Sequence, residues 1–93
     1  MDKRRPVVIL SPDRRNEAAS DVIVVPCFSS GRRIRWHVNL QRGEGGLPGA
    51  SVAKCEQITT VPREFIEREI GMLPEQRIRE IERALLSALG IMP

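Results

Sequence analysis

The sequence predicts a small, mainly β domain with a C-terminal helix, an α+β fold in which residues 1–93 form a single unit. Several short segments rich in Val, Ile and Thr are bounded by Gly, Pro or Ser, a pattern typical of strands. The last segment instead repeats apolar residues at helical spacing. A chain of 93 residues makes one domain with a modest core, so association with a second copy would add stability.

The first predicted strand is Arg5–Leu10 (RPVVIL). Four successive apolar residues after a proline indicate a strand buried on both faces, and Pro6 can occupy only its first position because it has no N–H for the ladder. Arg5 therefore stands at the mouth of this strand, where it either reaches into solvent or projects over a site. The polar segment Asp13–Ser20 that follows is predicted to be a loop.

The second predicted strand, Asp21–Phe28, contains Pro26, which is expected to place its last residues at an edge or a bulge. The loop after it, Ser29-Ser30-Gly31-Arg32-Arg33, combines two hydroxyls with two guanidinium groups. This combination suits a phosphate, because hydroxyls and backbone N–H groups position the phosphate while arginines attract it. Serine and arginine are also ordinary loop residues, so the motif alone has little specificity.

Trp36–Leu40 alternates as a third predicted strand. Its two faces carry Trp36, Val38 and Leu40 on one side and His37 and Asn39 on the other. Trp36 is either a core residue or a stacking platform at the edge of a basic groove, and both interpretations stay open. His37, the only histidine, is predicted to be a surface strand residue rather than an acid or a base.

The Gly-rich segment Gln41–Ala50 is predicted to be a loop, and it lacks the GK[ST] and GxGxxG patterns of nucleotide sites. Next, Ser51–Val61 (SVAKCEQITTV) is predicted to form one strand, because it is rich in β-branched residues and has no Gly or Pro. Alternation then places Lys54 and Glu56 on one face, about 7 Å apart at Cα. On an arbitrary strand, such a pair is more often a solvated surface pair than a site.

Two further elements are predicted before the last helix: a helical turn or two over Pro62–Glu69 and a short strand over Glu69–Leu73. The clearest helix follows, with Pro74 in its first turn and Gly90 after its end. Its apolar stripe consists of Ile78, Ile81, Leu85, Ala88 and Leu89. One face of this helix is therefore expected to pack on the sheet.

The net charge of +3 is unevenly distributed along the chain. Residues 1–42 carry nine Lys or Arg against four Asp or Glu, whereas residues 43–93 carry six against eight. Thirteen of the fifteen cations are arginines, whose planar fork fits phosphate oxygens. Charge alone fits a phosphate-binding protein and a soluble protein that is simply basic about equally well.

Cys27 and Cys55 lie too far apart for a CxxC motif and sit in apolar segments. They are predicted to be buried free thiols in a reducing cytosol. Neither a signal peptide nor a membrane span is predicted, because no apolar run is long enough.

Several motifs, taken in order, resemble those of the MazF/PemK family of toxin–antitoxin ribonucleases: RPVVILSPD, DVIVVPCFSS, GLPGASVAKCEQITTVP, EIGML and a helix ending ALGI. The likeness runs from Arg5 to Ile91 and is most specific at Arg5-Pro6 and Ser51–Val61. It implies a small, SH3-like, partly open β-barrel with a C-terminal helix, paired as a homodimer. It also implies a cytoplasmic toxin that cleaves single-stranded RNA at short motifs without a metal or cofactor. The implied protein partner is an antitoxin with an acidic or disordered tail.

Carried over position by position, the resemblance implies four catalytic residues: Arg5, Lys54, Glu56 and Ser29. Glu56 is the expected base for the ribose 2′-OH, Lys54 the expected proton donor, and Arg5 the expected stabiliser of phosphate charge. RNA-binding residues are expected at Trp36, Ser30, Arg32, Arg33, Gln57 and Thr59. Two positions depart from the family pattern, since Lys54 stands where arginine is usual and Phe28 replaces a threonine beside Ser29.

Family members begin with a further strand resembling RGDIWWVDL and a loop, and MDKRRP resembles the tail of that element. The chain is therefore expected to lack this strand and loop, which would expose a strand edge along Val7–Leu10. Two non-enzymatic alternatives remain: an inactive, shortened relative that binds RNA or an antitoxin, and a CcdB-like gyrase inhibitor. Leu89-Gly90-Ile91 resembles the CcdB ending but lacks its tryptophan, which counts against gyrase.

Overall fold

The structure, a computed structural model, describes residues 4–91 as an antiparallel sheet with two α-helices. The strands are β1 (Val7–Ile9), β2 (Asp21–Phe28), β3 (His37–Leu40), β4 (Ser51–Lys54) and β5 (Thr59–Pro62). The helices are α1 (Asp13–Ala18) and α2 (Glu75–Ala88), and single 3-10 turns occupy Glu44–Gly46, Cys55–Gln57 and Arg63–Phe65. The interpretation of MDKRRP as the tail of another strand falls largely on Met1–Lys3, which lie outside the described residues.

Strand β2 organises the sheet, because it pairs with three other strands. On one side it pairs with β1, and on the other side it pairs first with β5 and then with β4. Strand β3 joins the far side of β4 and ends the sheet. The mainly β fold with a partly open sheet and a C-terminal helix is therefore as predicted.

Pro26 lies at the point where β2 changes partners. The Cys27 N–H donates to the Pro6 carbonyl at 3.0 Å on the β1 side, so the nitrogen of Pro26 faces the opposite side. There the turn Cys55–Gln57 separates β4 from β5, and no ladder bond is lost. Cys27 and Phe28 pair with β4, so the prediction that they lie at an edge is wrong, and the irregularity beside Pro26 is the turn in the partner segment.

The prediction of a loop over Asp13–Ser20 is wrong, because most of this segment forms α1. Asp13 suits the first turn of this short helix, and the Arg15 guanidinium bonds the Asp21 carboxylate at 2.7 Å. The helix buries no residue fully, so it leaves no apolar stripe in the sequence. Polar composition therefore could not separate it from a loop.

Strand β1 is half-buried rather than buried on both faces, since it lies at the end of the sheet and leaves Ile9 exposed. Between Pro62 and Glu69 only the turn Arg63–Phe65 is helical. The predicted strand Glu69–Leu73 has no strand partner among residues 4–91. The backbone at Ile70 and Gly71 instead packs closely against Gly45 and Gly46 of the glycine-rich loop.

Helix α2 covers the core face of the sheet, where Ile81 and Ala84 are buried. The core cluster consists of Val25, Cys27, Val38, Leu40, Leu47, Ala53, Cys55, Ile81 and Ala84. Of the predicted stripe, Leu89 is 61% exposed because the helix ends at Ala88. No helix within residues 4–91 is long and apolar enough to cross a membrane.

Cys27 and Cys55 are buried free thiols, as predicted. Burial raises the pKa of Cys27 to about 11 and the pKa of Cys55 to about 12. The thiolate is the reactive form of cysteine, so both side chains are protonated core residues at neutral pH.

Gly46→Ala is expected to lower the free energy of unfolding by about 2–4 kcal/mol. Gly46 has a left-handed φ of 76°, and a Cβ there would overlap the carbonyl oxygen of Ile70. Urea unfolding measures the change. Gly49→Ala is the matched control, because it has no neighbour within 4 Å of its added Cβ. Equal stability of the two variants would contradict this account of the loop.

Candidate active site

The face of the sheet opposite helix α2 carries the side chains of the candidate site, which come from β2, β3 and β4 and from Arg5 just before β1. Lys54 lies directly opposite His37, and Phe28 directly opposite Val52. Opposed residues project to the same face, so the pairing alone groups them. Extending the β1–β2 register by two residues places Arg5 opposite Phe28.

The Phe28 ring holds two cations. The Arg5 guanidinium carbon lies 4.1 Å from the ring centroid, and Lys54 Nζ lies 4.3 Å from it. Arg5 precedes β1 and Lys54 ends β4, on opposite sides of β2. Each cation–π contact contributes about 0.5–1 kcal/mol at an exposed site. The ring thus holds two positive charges near each other, and an anion such as phosphate can bind to both.

This role of Phe28 was not visible in the sequence, where Phe28 stood out only as a replacement for threonine. The signal that could have found it is the strand register. Arg5 and Lys54 are 49 positions apart in the chain, and only pairing through β2 brings both to one ring.

Lys54 and Glu56 do not lie on one continuous strand, so that prediction is wrong. Strand β4 ends at Lys54, a 3-10 turn follows, and β5 begins at Thr59. Both Ala53 and Cys55 are fully buried, and the Cys55 N–H donates to the Trp36 carbonyl at 2.9 Å. The turn draws Cys55 into the core and sends Lys54 and Glu56 to different partners.

Glu56 bonds to His37, whose Nε2 lies 3.1 Å from Glu56 Oε2. The other ring nitrogen, Nδ1, lies 3.1 Å from the carbonyl oxygen of Arg32. The His37 side chain is only 6% exposed, so its prediction as a surface residue is wrong. The cause is the loop at Gly31, where an added Cβ would lie 3.2 Å from Nδ1 and 2.8 Å from Val52.

The predicted phosphate loop lies exposed beside these side chains. Ser29 directly follows Phe28, and Ser29 and Ser30 line a groove of about 460 Å³ together with Asn39 and Arg42. The remaining predicted residues of the loop, Arg32 and Arg33, are also exposed. The Arg32 backbone additionally orients His37.

The remaining predicted RNA-binding residues lie around the turn. Gln57 and Thr59 are exposed on either side of Ile58. Trp36 is half-buried and packs against the core cluster, which supports its interpretation as a core residue. Its stacking role stays a hypothesis.

A second groove of about 450 Å³ runs between β3 and α2, and one of its three arginines, Arg77, is already paired. Arg77 Nε donates to Glu44 Oε1 at 3.0 Å, and its Nη1 donates to Glu80 at 3.1 Å. The Gln41 backbone N–H and the Arg77 guanidinium lower the pKa of Glu44. This network ties the glycine-rich loop to α2. Within the described range 4–91, no three His, Cys, Asp or Glu side chains are grouped to hold a metal ion.

Comparisons with known proteins converge on one family. Residues 1–89 match the model of the PemK-like, MazF-like toxin of type II toxin–antitoxin system. A probable endoribonuclease MazF of Mycolicibacterium smegmatis is 37% identical over 94 residues, covering 96% of this chain and 83% of that protein.

Solved structures agree with the sequence relatives. The Mycobacterium tuberculosis toxin MazF-mt6 superposes with a TM-score of 0.89 at 27% identity, covering 100% of this chain and 93% of that one. An endoribonuclease in complex with its cognate antitoxin from a mycobacterial species superposes with a TM-score of 0.82 at 25% identity. That match covers 96% of this chain and 84% of the other.

Proposed function

This chain belongs to the PemK-like, MazF-like toxin family of type II toxin–antitoxin systems and is an endoribonuclease toxin of the MazF type, and we propose that it cuts single-stranded RNA without a metal. A ribose 2′-OH attacks the adjacent phosphate, so a 2′-O–P bond forms and the P–O5′ bond breaks. The products are a 2′,3′-cyclic phosphate and a 5′-OH end. The observation that carries this proposal is the grouping of Arg5 and Lys54 on Phe28.

The charges on this face match the needs of the reaction. Arg5 and Lys54 offset the negative charge that grows on the phosphate oxygens, and the arginine fork can bond two of them at once. Glu56 accepts the 2′-OH proton, and Lys54 gives a proton to the leaving 5′-oxygen. Ser29 supplies a hydroxyl to the phosphate. RNA carries its own nucleophile, so orientation supplies much of the rate.

RNA is proposed to run across the exposed rim of this face. The groove beside Ser30 and the exposed guanidinium groups of Arg32 and Arg33 suit backbone phosphates. Gln57 and Thr59 flank the Glu56 turn, where they can contact bases next to the cleaved bond. Trp36 offers the part of its indole that the core leaves open.

The active form is proposed to be a cytoplasmic homodimer built from one domain per chain, residues 1–93. Leu89 and Ile91 at the end of α2 are more than half exposed, an apolar surface that a second copy would cover. The structural relative in complex with its cognate antitoxin supports an antitoxin partner for this chain too. The arginines of the RNA-binding face suit an acidic antitoxin tail.

The proposal is tested by incubating the wild-type protein with a long RNA in EDTA and mapping the ends of the products. Discrete cuts with 5′-OH and 2′,3′-cyclic phosphate ends are expected at equal rate with and without added Mg²⁺. Intact RNA would contradict the proposal and favour the inactive RNA- or antitoxin-binding relative. The family match already favours RNA over the gyrase alternative.

A further inference from the structure

We propose that His37 is a positioning residue that holds Glu56 through a shared proton while the RNA is cleaved. This inference rests on the ribonuclease function proposed above. His37 is not among the residues expected from the family resemblance. The inference rests on geometry, since both ring nitrogens of His37 lie 3.1 Å from oxygen atoms.

The two contacts of the ring define how many protons it holds. The Arg32 carbonyl oxygen can only accept, so Nδ1 must carry a hydrogen to make this bond. Nε2 faces the Glu56 carboxylate, which as an anion also only accepts. Both bonds form together only when one further proton lies between Nε2 and Oε2. Without it, the Nε2 lone pair and the carboxylate oxygen repel each other and the contact opens.

The surroundings of the ring make Glu56 its only directly bonded counter-ion in the described part of the chain. Lys54 stands opposite on β4, and Arg32 enters from the preceding loop. The groove between β3 and α2 adds four charged residues near His37: Arg35, Arg77, Glu80 and Arg83. Of these, Glu80 is engaged by Arg77. The negative charge of Glu56 thus favours the additional proton on the ring, whereas the surrounding cations oppose it.

The burial of His37 decides that it acts through Glu56 rather than on RNA. Its side chain is 6% exposed, whereas Glu56 is 36% exposed. Oε2 is bound to Nε2, and the other carboxylate oxygen, Oε1, has no hydrogen-bond partner among residues 4–91 and takes the 2′-OH proton. One proton moves from the 2′-oxygen to Glu56 and one from Lys54 to the 5′-oxygen, while the Nε2–H–Oε2 bond persists. Solvent then returns the proton from Glu56 to Lys54.

Two His37 variants separate positioning from packing. His37→Phe keeps a ring but loses both bonds, and we expect kcat to fall about 10- to 100-fold with KM changed less than about twofold. His37→Gln keeps a donor toward Glu56 and is expected to recover most of that loss.

A loop variant tests the same bond without touching the ring. A Cβ added by Gly31→Ala would displace the loop from Val52 and from His37 Nδ1, so this variant is expected to lower kcat as His37→Phe does. Gly49→Ala is the control. It also keeps the test valid if His37→Phe does not fold, as judged by its thermal melt. Wild-type kcat in both His37→Phe and Gly31→Ala would overturn the proposal.

Nitrogen NMR of the His37 ring reads the shared proton independently of activity. Hydrogen on both ring nitrogens is expected in the wild-type protein, and an altered Nε2 signal in Glu56→Gln. Identical Nε2 signals in the two proteins would overturn the shared proton even if RNA is cut. Intact RNA with the wild-type protein would overturn the ribonuclease function and the catalytic part of the inference, whatever NMR shows.

Discussion

Glu56→Gln is expected to lower kcat for cleavage of a single-stranded RNA about 10²- to 10⁴-fold, the range typical for removal of a general base. The amide has the size of the carboxylate, and its NH2 group can donate a hydrogen bond to His37 Nε2. It cannot take up the 2′-OH proton. We therefore expect stability and the size-exclusion profile to stay as in the wild-type protein while single-turnover cleavage is nearly lost.

Glu82→Gln is the matched control for this variant. Glu82 is an exposed carboxylate on α2 with no ion-pair partner among residues 4–91, so the same chemical change there should leave cleavage within about twofold. Glu56→Gln that cleaves RNA as fast as Glu82→Gln would remove Glu56 from the mechanism.

Arg5→Ala is expected to lower kcat about 10²- to 10³-fold, as loss of one strong donor to a developing oxyanion does. The reason is electrostatic, because Arg5 is one of the two cations held on Phe28. Arg5 is exposed, so its removal should change unfolding by less than about 1 kcal/mol. Arg5→Lys keeps the charge but not the planar fork and should cleave at an intermediate rate.

The neighbouring arginine provides the control. Arg4 is exposed and pairs with Glu67 at 3.1 Å. Arg4→Ala therefore removes the same charge from the residue next to Arg5, while Arg5 keeps its contact with Phe28. Equal losses of kcat/KM in Arg4→Ala and Arg5→Ala would mean that only general attraction of RNA is affected. In that case, KM and its salt dependence would change rather than kcat.

Local patterns in the sequence determined most of the elements. Strand β2 matches the predicted range Asp21–Phe28, and helix α2 lies between Pro74 and Gly90 as expected. These are the longest strand and the longest helix, so their apolar patterns extend over enough residues to be recognised in the sequence. The family resemblance assigned catalytic roles to Arg5 and Glu56, which the residue pattern had already singled out.

Tertiary structure alone decided how the candidate site is assembled. Ser51–Val61 has the composition of one strand, yet burial of Cys55 and the change of partner along β2 break it into β4, a turn and β5. This break separates Lys54 from Glu56 and gives each a partner distant in sequence, Phe28 and His37. Such pairs depend on strand register and loop packing, which a one-dimensional pattern does not contain, because alternation specifies a face but not the neighbour across it.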